Sequence, residues 1–245
     1  NLTRADYWAF PKEVRRIYDE ERFETFSGPR FDDNLLDWVV LLEAVSDANG
    51  DFVMAALGAG WGRWLVAAAL ACKQKDLDYK LIGVEAEPTH YRWMIEHFQD
   101  NSLDPSAHEL IEAAASGSSG QGWFHFGKPS AWYGQSLIVD PQLVAEPGML
   151  ETEFGGERAR LVRTVDLEEV TKHHEVLHYL HMDIQGAELE VLAAHPALLE
   201  RKVKRVLIGT HSNEIEAGLR DLFNGLGWWC QYDIPLDGVV SAGDT

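Results

Sequence analysis

Short apolar runs alternate with helical patterns through the middle of the chain. Residues 52–57 and 80–84 are apolar runs of strand length, whereas residues 64–73 and 88–99 carry apolar side chains at helical spacing. The order strand, helix, strand, helix is typical of βαβ units with right-handed crossovers. The pattern therefore predicts an α/β fold with a doubly wound, mainly parallel sheet.

The alternation continues toward the C-terminus. The further predicted elements are strands over residues 109–115, 176–184 and 203–208, helices over residues 187–194 and 213–226, and a final strand pair over residues 228–234 and 238–241. Residues 123–160 are rich in Trp, Tyr, Gly and Pro and have no clear periodicity. We expect an irregular insertion there, and long irregular segments are often functional.

The first fifty residues precede this alternation. Residues 12–23 and 34–48 both have helical spacing of apolar side chains. We therefore divide the chain into an N-terminal helical lead-in, residues 1–50, and an α/β domain, residues 51–245, which contains the insertion at 123–160.

Charge and cysteine content narrow the set of partners. The 245 residues include 21 Lys and Arg against 40 Asp and Glu, a formal charge of −19. Nucleic acids and anionic membranes attract Lys and Arg, so neither partner is expected. The longest apolar stretch, residues 52–72, is interrupted by glycines and Arg63 and is not a membrane span.

Cys72 and Cys230 lie in apolar segments; we expect two buried thiols and a cytoplasmic location.

A glycine-rich loop separates the first strand of the domain from the following helix. It reads Gly58-Ala59-Gly60-Trp61-Gly62. Glycines allow a tight turn and a close ligand approach, and a helix N-terminus offers free N–H groups. The GxGxG spacing is that of S-adenosylmethionine sites, whereas the dinucleotide fingerprint GxGxxG would need glycine where this chain has arginine. A plain glycine turn is the alternative interpretation.

Two acidic residues follow the second strand. Glu85 lies 25 residues after Gly60, and Glu87 directly precedes Pro88. A carboxylate at the end of this strand can accept both ribose hydroxyl groups of a nucleoside. Either glutamate is a candidate for that contact, although an acid at this place also suits the start of a helix.

A second polar constellation follows a later strand. Tyr179, His181 and Asp183 share one face of that strand, and Asp183 ends it. The next strand ends at His211, so Asp183 and His211 are predicted to face each other as an acid/base pair. Glu188 begins the helix between these two strands.

These segments together resemble FkbM-type methyltransferases. The similarity spans roughly residues 50–240 and rests on the glycine loop, Glu87-Pro88, Val165-Asp166-Leu167, the segment from Met182 to Leu192, and the strand ending in His211. It implies a class I Rossmann-like fold with a terminal antiparallel strand pair. It also implies S-adenosylmethionine as cofactor and methylation of a hydroxyl oxygen on a sugar or natural product.

Two positions depart from the family pattern. Class I enzymes usually carry an acid two residues before the first glycine, where this chain has Ala56. The family's Asp-x-Glu-Gly-Ala-Glu is here Asp183-Ile-Gln185-Gly-Ala-Glu188, so one charge is lost while hydrogen bonding is kept. These departures favour an acceptor different from the usual ones, or a protein that binds the cofactor without chemistry.

The function expected from the sequence is methyl transfer to a small hydroxylated acceptor, with Asp183 or His211 as the base. The expected cofactor-binding residues are Gly58, Ala59, Gly60, Trp61, Gly62, Glu85 and Glu87. The expected acceptor-binding residues are Trp132, Tyr133, Gln135, Ser136, Gln185 and Glu188. The sequence is compatible with a homo-oligomer.

Two other interpretations are weaker. A nicotinamide-dependent oxidoreductase could use a similar sheet, but the chain lacks a Tyr-x-x-x-Lys pair. The histidines at positions 173, 174, 178 and 181 match no zinc-ligand spacing, so we expect surface and loop histidines and no metal.

Overall fold

The computed structural model describes residues 2–4, 23–25, 34–127, 135–138 and 149–236. Its elements, in chain order, are β1 (Leu2–Arg4), β2 (Phe23–Thr25), α1 (Leu35–Asp47), β3 (Asp51–Leu57), α2 (Arg63–Lys75), β4 (Asp78–Glu85), α3 (Pro88–Asp100), a 3₁₀ turn (Pro105–Ala107), β5 (Glu109–Glu112), β6 (Ala114–Ala115), β7 (Gly120–His125), β8 (Glu151–Phe154), β9 (Glu157–Val165), α4 (Leu167–Thr171), β10 (Tyr179–Met182), α5 (Glu188–Ala193), α6 (Pro196–Lys202), β11 (Val206–Ile208) and α7 (Asn213–Gly225).

A five-stranded parallel sheet forms the centre of the fold. Its strand order is β11-β10-β3-β4-β5, and all four pairings are parallel. The chain moves from β3 to one edge of the sheet through β4 and β5, and later fills the other side of β3 with β10 and β11. The predicted α/β fold with a mainly parallel sheet is confirmed, and its topological switch point lies between β3 and β10.

Helices cover both faces of this sheet. Alternate side chains of β3 explain why: Phe52 and Met54 pack against α1, α2 and α3, whereas Val53 and Ala55 pack in the core shared with α4 to α7. All four side chains are buried. A strand buried on both faces is apolar throughout, which is why residues 52–57 form an unbroken apolar run.

A second sheet lies in the region that the sequence describes as irregular. Strands β6, β9 and β7 are neighbours, and β8 pairs with β9. The expectation of an irregular segment over residues 123–160 is therefore wrong for 123–125, 151–154 and 157–160, which lie in strands. β8 has no buried residue, and β9 mixes exposed, half-buried and buried positions, so neither strand shows a clear apolar periodicity.

The two ends of the chain also differ from expectation. Strands β1 and β2 pair in antiparallel register, and Arg4 donates to Asp100 of α3 at 2.6 and 2.8 Å. The lead-in thus contains strands as well as helix α1; the helix expected over residues 12–23 lies outside the described residues, except for Phe23 in β2. Residues 228–234, expected to form a strand, are irregular, and residues 238–241 are not described.

The two cysteines have different environments. Cys72 is fully buried in α2, and burial raises the pKa of its thiol to about 12. Cys230 is exposed, so the expectation of two buried thiols is wrong for this residue. Within the described residues, no helix is both long and apolar enough to cross a membrane.

Candidate functional site

The loops after β3 and β10 meet at the carboxyl edge of the sheet. This edge, at a topological switch point, is where open α/β sheets bind ligands. The backbone N–H of Asp183 donates to the carbonyl of Leu57 at 3.0 Å, which joins the two loops. A cavity of about 530 Å³ opens beside them, within the size range of small-molecule sites.

Gly58 brings the two loops into direct backbone contact. Its φ is +72°, and a Cβ atom placed on it would lie 1.9 Å from the carbonyl oxygen of Asp183. Only glycine combines this conformation with this approach. The requirement for Gly58 is therefore set by the second loop and not only by the turn itself.

The N–H groups of the glycine loop are already hydrogen-bonded to strand β4. Those of Gly58 and Ala59 both donate to the carbonyl of Val84, at 3.0 and 2.9 Å. That of Gly60 donates to the Glu85 carboxylate at 2.7 Å. These three donors do not form an open cradle for a phosphate group, which a dinucleotide would use.

The structure places the two glutamates at the end of β4 in different environments. Glu85 lines the cavity and accepts from the N–H groups of Gly60 and Glu87, the latter at 2.8 Å. Burial raises the pKa of Glu85, although these donors and nearby His90 oppose the shift. Glu87 instead caps helix α3 by accepting from the N–H of His90 at 2.7 Å, and it is not among the described residues that line the cavity.

The other residues of the glycine loop hold it against the helices. Trp61 is buried, and its ring packs edge-on against His97 of α3 with the centroids 4.8 Å apart. Gly62 is the N-cap of α2. Ala59, Gly60 and Trp61 line the cavity, whereas Gly62 does not.

The second loop assembles a carboxylate–histidine–carboxylate chain. His211 Nδ1 contacts Glu188 Oε1 at 2.8 Å, and His211 Nε2 lies 3.3 Å from Asp183 Oδ1. Gln185 Nε2 donates to the same Asp183 oxygen at 3.0 Å. The sequence-predicted juxtaposition of Asp183 and His211 is therefore present in the structure.

The two carboxylates on either side of His211 favour its protonated form. The hydrogen bond that His211 donates to Glu188 raises the pKa of His211, and this effect outweighs the opposing effect of partial burial. Burial would raise the pKa of Glu188, but donors from His211 and the N–H of Gly186 lower it overall. Glu188 is fully buried behind His211 and holds the imidazole, whereas Asp183 is half exposed and lines the cavity.

The predicted acceptor-binding residues are distributed unevenly. Trp132 and Tyr133 lie outside the described residues. Gln135 and Gln185 line the cavity. Ser136 does not line it; its backbone carbonyl accepts from the N–H of His125 at 2.9 Å, which anchors the segment to β7. Glu188 also does not line the cavity.

The cavity wall contains apolar residues mainly from β4 to β7 and polar residues from the starts of α1 and α2, from α3 and from β10. The described residues that line it, besides those already named, are Val84, Ala86, Ala113, Ala114, Ala115, Phe124, Leu137 and Ile184 on apolar patches, and Asn34, Arg63, Trp64, His90 and His181. The site thus offers an apolar slot next to Glu85 and a charged end near the helix starts.

His181 is a site residue whose place the sequence did not reveal. It is 6% exposed and lines the cavity, so the expectation of a surface or loop histidine is wrong here. His181 pairs in register with Ala56 and contacts Asp37 of α1 through Nε2 at 2.9 Å. The alternation of side chains along the strand indicated that His181 and Asp183 share one face. Asp37, the partner of His181, is 144 residues away in sequence.

The remaining histidines of this group do not form a metal site. His174 contacts Glu109 at 2.8 Å, and His178 Nδ1 accepts from the N–H of Val53 at 3.0 Å. Within the described ranges, no group of three or more His, Cys, Asp or Glu side chains has an arrangement that could hold a metal ion. Asp166, from the Val165-Asp166-Leu167 match, caps helix α4 by accepting from the N–H of Glu169.

Comparison with known proteins identifies relatives of this chain. Residues 58–223 match the family model described as a methyltransferase FkbM domain. A protein from Jannaschia sp. (strain CCS1), provisionally named a methyltransferase, is 28% identical over 203 residues, which cover 82% of this chain and 71% of that protein.

Two solved structures are similar at lower identity. The crystal structure of methyltransferase FkbM from Methylobacillus flagellatus KT has a TM-score of 0.45 at 11% identity; the match covers 73% of this chain but only 39% of that longer one. The structure of precorrin-6y C5,15-methyltransferase from Geobacter metallireducens GS-15 has a TM-score of 0.46 at 11% identity, with 86% and 80% covered.

Proposed function

Because the chain belongs to the FkbM methyltransferase family, we propose that it transfers a methyl group from S-adenosylmethionine to a hydroxyl oxygen of a small acceptor, a sugar or another natural product. The observation that carries the cofactor assignment is the position of Glu85. Its carboxylate lies on the cavity wall and is fixed by the glycine loop itself.

The residues around Glu85 fit a nucleoside. A carboxylate has about four lone-pair positions, and the N–H groups of Gly60 and Glu87 use two of them. Two positions remain to accept from ribose hydroxyl groups. The apolar patch that includes Phe124 and Leu137 offers a surface for a flat base.

The glycine loop supports an adenosyl cofactor over a dinucleotide. Its first three N–H groups are directed at Val84 and Glu85 and not outward. A pyrophosphate needs such donors to be free at the start of the helix. This arrangement disfavours the oxidoreductase alternative.

Asp183 is the better base of the two predicted candidates. The raised pKa of His211 favours an imidazolium ion, which has no lone pair to accept a proton. Both contacts to Asp183 involve Oδ1, and Oδ2 has no hydrogen-bond partner within the described residues. We therefore assign Asp183 Oδ2 as the proton acceptor and His211 as a positioning residue held by Glu188.

The chemistry then requires mainly alignment. When bound, S-adenosylmethionine supplies a methyl group on a positively charged sulfur. The site holds the acceptor oxygen in line with the bond to be broken, and such positioning can contribute roughly 7–11 kcal/mol. Asp183 takes the hydroxyl proton as the oxygen–carbon bond forms, worth about 10²–10⁴-fold in rate.

Calorimetric titration with S-adenosylmethionine, S-adenosylhomocysteine and NAD tests the cofactor assignment. We expect micromolar binding of the first two and no heat from NAD. Methyl transfer from labelled cofactor to a panel of hydroxylated sugars and natural products then tests the reaction. Binding without transfer to any acceptor would favour a protein that retains the fold and the cofactor but not the chemistry, whereas binding of NAD alone would overturn the proposal.

A further inference from the structure

The charged end of the cavity lies at the starts of α1 and α2. Among the described residues that line the cavity, Arg63 is the only lysine or arginine. Its Nη1 donates to the side-chain oxygen of Asn34 at 2.8 Å, and its guanidinium lies 4.5 Å from the ring centroid of Trp64. These two contacts orient a positive charge at the cavity wall.

A hydrogen-bond acceptor lies close to this cation. His181 Nε2 is 2.9 Å from the Asp37 carboxylate, which can only accept, so Nε2 carries the proton. In the neutral imidazole, Nδ1 is then an acceptor. It is buried and has no hydrogen-bond partner in the part of the chain that the structure describes. A buried polar atom without a partner is costly, which points to a partner that arrives with a ligand.

Trp64 connects the two groups. The His181 ring lies 5.9 Å from the Trp64 ring, and the Arg63 guanidinium lies 4.5 Å from it. A fixed cation and a buried acceptor backed by the Asp37 carboxylate therefore lie against the same aromatic ring. This pair matches a ligand that carries both a negative and a positive group.

We propose that Arg63 binds the α-carboxylate, and His181 the α-ammonium group, of the amino-acid part of S-adenosylmethionine. The inference rests on the proposed function, which places the adenosine part at Glu85. A neutral hydroxylated acceptor needs neither group, whereas a zwitterion needs both. Asp37 holds the imidazole tautomer and supplies the negative charge behind it.

The test compares two adenosyl thioethers that differ only in the amino-acid part. S-adenosylhomocysteine contains it, and 5′-methylthioadenosine lacks it. Calorimetry measures both affinities for the wild type, Arg63→Met, His181→Leu and Arg92→Met. The last variant removes the same charge from an exposed arginine on α3 that does not line the cavity.

In the wild type, S-adenosylhomocysteine is expected to bind far more tightly than 5′-methylthioadenosine. Arg63→Met should lower this preference by about tenfold or more, the size of a lost charge-assisted hydrogen bond, and His181→Leu by about threefold or more. Affinity for 5′-methylthioadenosine should change less than about twofold in both variants. Because the preference is a ratio within one protein, partial misfolding lowers both affinities and leaves it unchanged.

The outcomes separate this proposal from the proposed function. An unchanged preference in Arg63→Met and His181→Leu, or equal binding of the two thioethers by the wild type, would overturn the zwitterion site while leaving the cofactor assignment intact. Failure of both thioethers to bind the wild type would overturn the cofactor assignment and this inference with it. A loss of preference in Arg92→Met equal to that in Arg63→Met would show a general charge effect and also overturn it.

Discussion

Replacement of Gly58 by alanine tests the contact that joins the two loops of the site. The added Cβ would lie 1.9 Å from the Asp183 carbonyl oxygen, far inside van der Waals contact, so one of the loops must move. Asp183 is the assigned base and Gly58 begins the cofactor loop. The substitution should therefore reduce both stability and ligand affinity.

A second glycine separates backbone strain from the clash. Gly155, in the turn between β8 and β9, has φ +62°, close to the +72° of Gly58, but nothing lies within 4 Å of its would-be Cβ. Alanine with positive φ costs about 1–2 kcal/mol, offset by about 0.4–1 kcal/mol because the unfolded chain loses freedom. We expect Gly155→Ala to destabilise by about 1 kcal/mol or less.

Gly58→Ala adds overpacking at a buried contact to the same strain. Overpacking typically costs about 1–3 kcal/mol, so a total of about 2–4 kcal/mol is expected. For a chain of this size, that lowers Tm by roughly 5–15 °C. Thermal unfolding followed by circular dichroism, with calorimetry of S-adenosylhomocysteine below Tm, measures both effects. Equal Tm values for the two variants, with affinity retained in Gly58→Ala, would refute the reasoning.

Three further predictions concern the titratable groups. Glu85→Gln should lower the affinity for S-adenosylhomocysteine about tenfold. Glu87→Gln should weaken the α3 cap by about 1 kcal/mol and leave this affinity nearly unchanged. Calorimetry and thermal unfolding distinguish the two variants, and loss of affinity in Glu87→Gln alone would move the ribose contact to Glu87. Asp183→Asn should lower turnover about 10²–10⁴-fold with S-adenosylhomocysteine affinity retained, and full turnover would exclude Asp183 as the base. His211 has a raised pKa and Glu188 a lowered pKa in the folded protein, so the interaction between them stabilises the fold. This stabilisation is fully present between the unfolded-state pKa values of the two groups, about 4.3 for Glu and 6.5 for His. This contribution is lost as pH rises through the folded-state pKa of His211 or falls through that of Glu188, so denaturant unfolding across pH should show both transitions. Glu188→Gln should remove the acid transition and weaken the alkaline one, because Asp183 still faces His211.

Sequence patterns predicted the central sheet well because its inner strands β10, β3 and β4 are largely buried on both faces. An apolar run such as residues 52–57 has few alternatives to a buried strand, and glycines mark its end. The second sheet was missed because β8 has no buried residue and β9 mixes exposed, half-buried and buried positions, with charged residues on both of its faces. The final strand was wrongly predicted because the Trp-rich segment from residue 228 suggests burial, whereas Trp229 is 81% exposed.

The site was predictable where its chemistry is local along the chain. The glycine loop and the segment around Asp183 follow strand ends, and strand ends of a parallel sheet meet at one edge. The choice between Glu85 and Glu87 depends on which side chain turns toward the cavity and which one caps α3, and spacing alone does not decide this. His181 and Asp37 meet only because α1 packs on β10, a tertiary contact that no short motif encodes.

The hydrogen bonds from the glycine loop to β4 have a consequence for the kinetics of binding. Because Gly58, Ala59 and Gly60 already donate to strand β4, the conformational entropy of the loop is lost during folding and not when the ligand arrives. The end of the cavity around Glu85, where we propose that the nucleoside binds, is therefore preorganised. The rate at which a ligand associates with this end of the cavity is therefore set by diffusion and by access to the cavity. Amide hydrogen exchange at Gly60 should be slow with or without ligand.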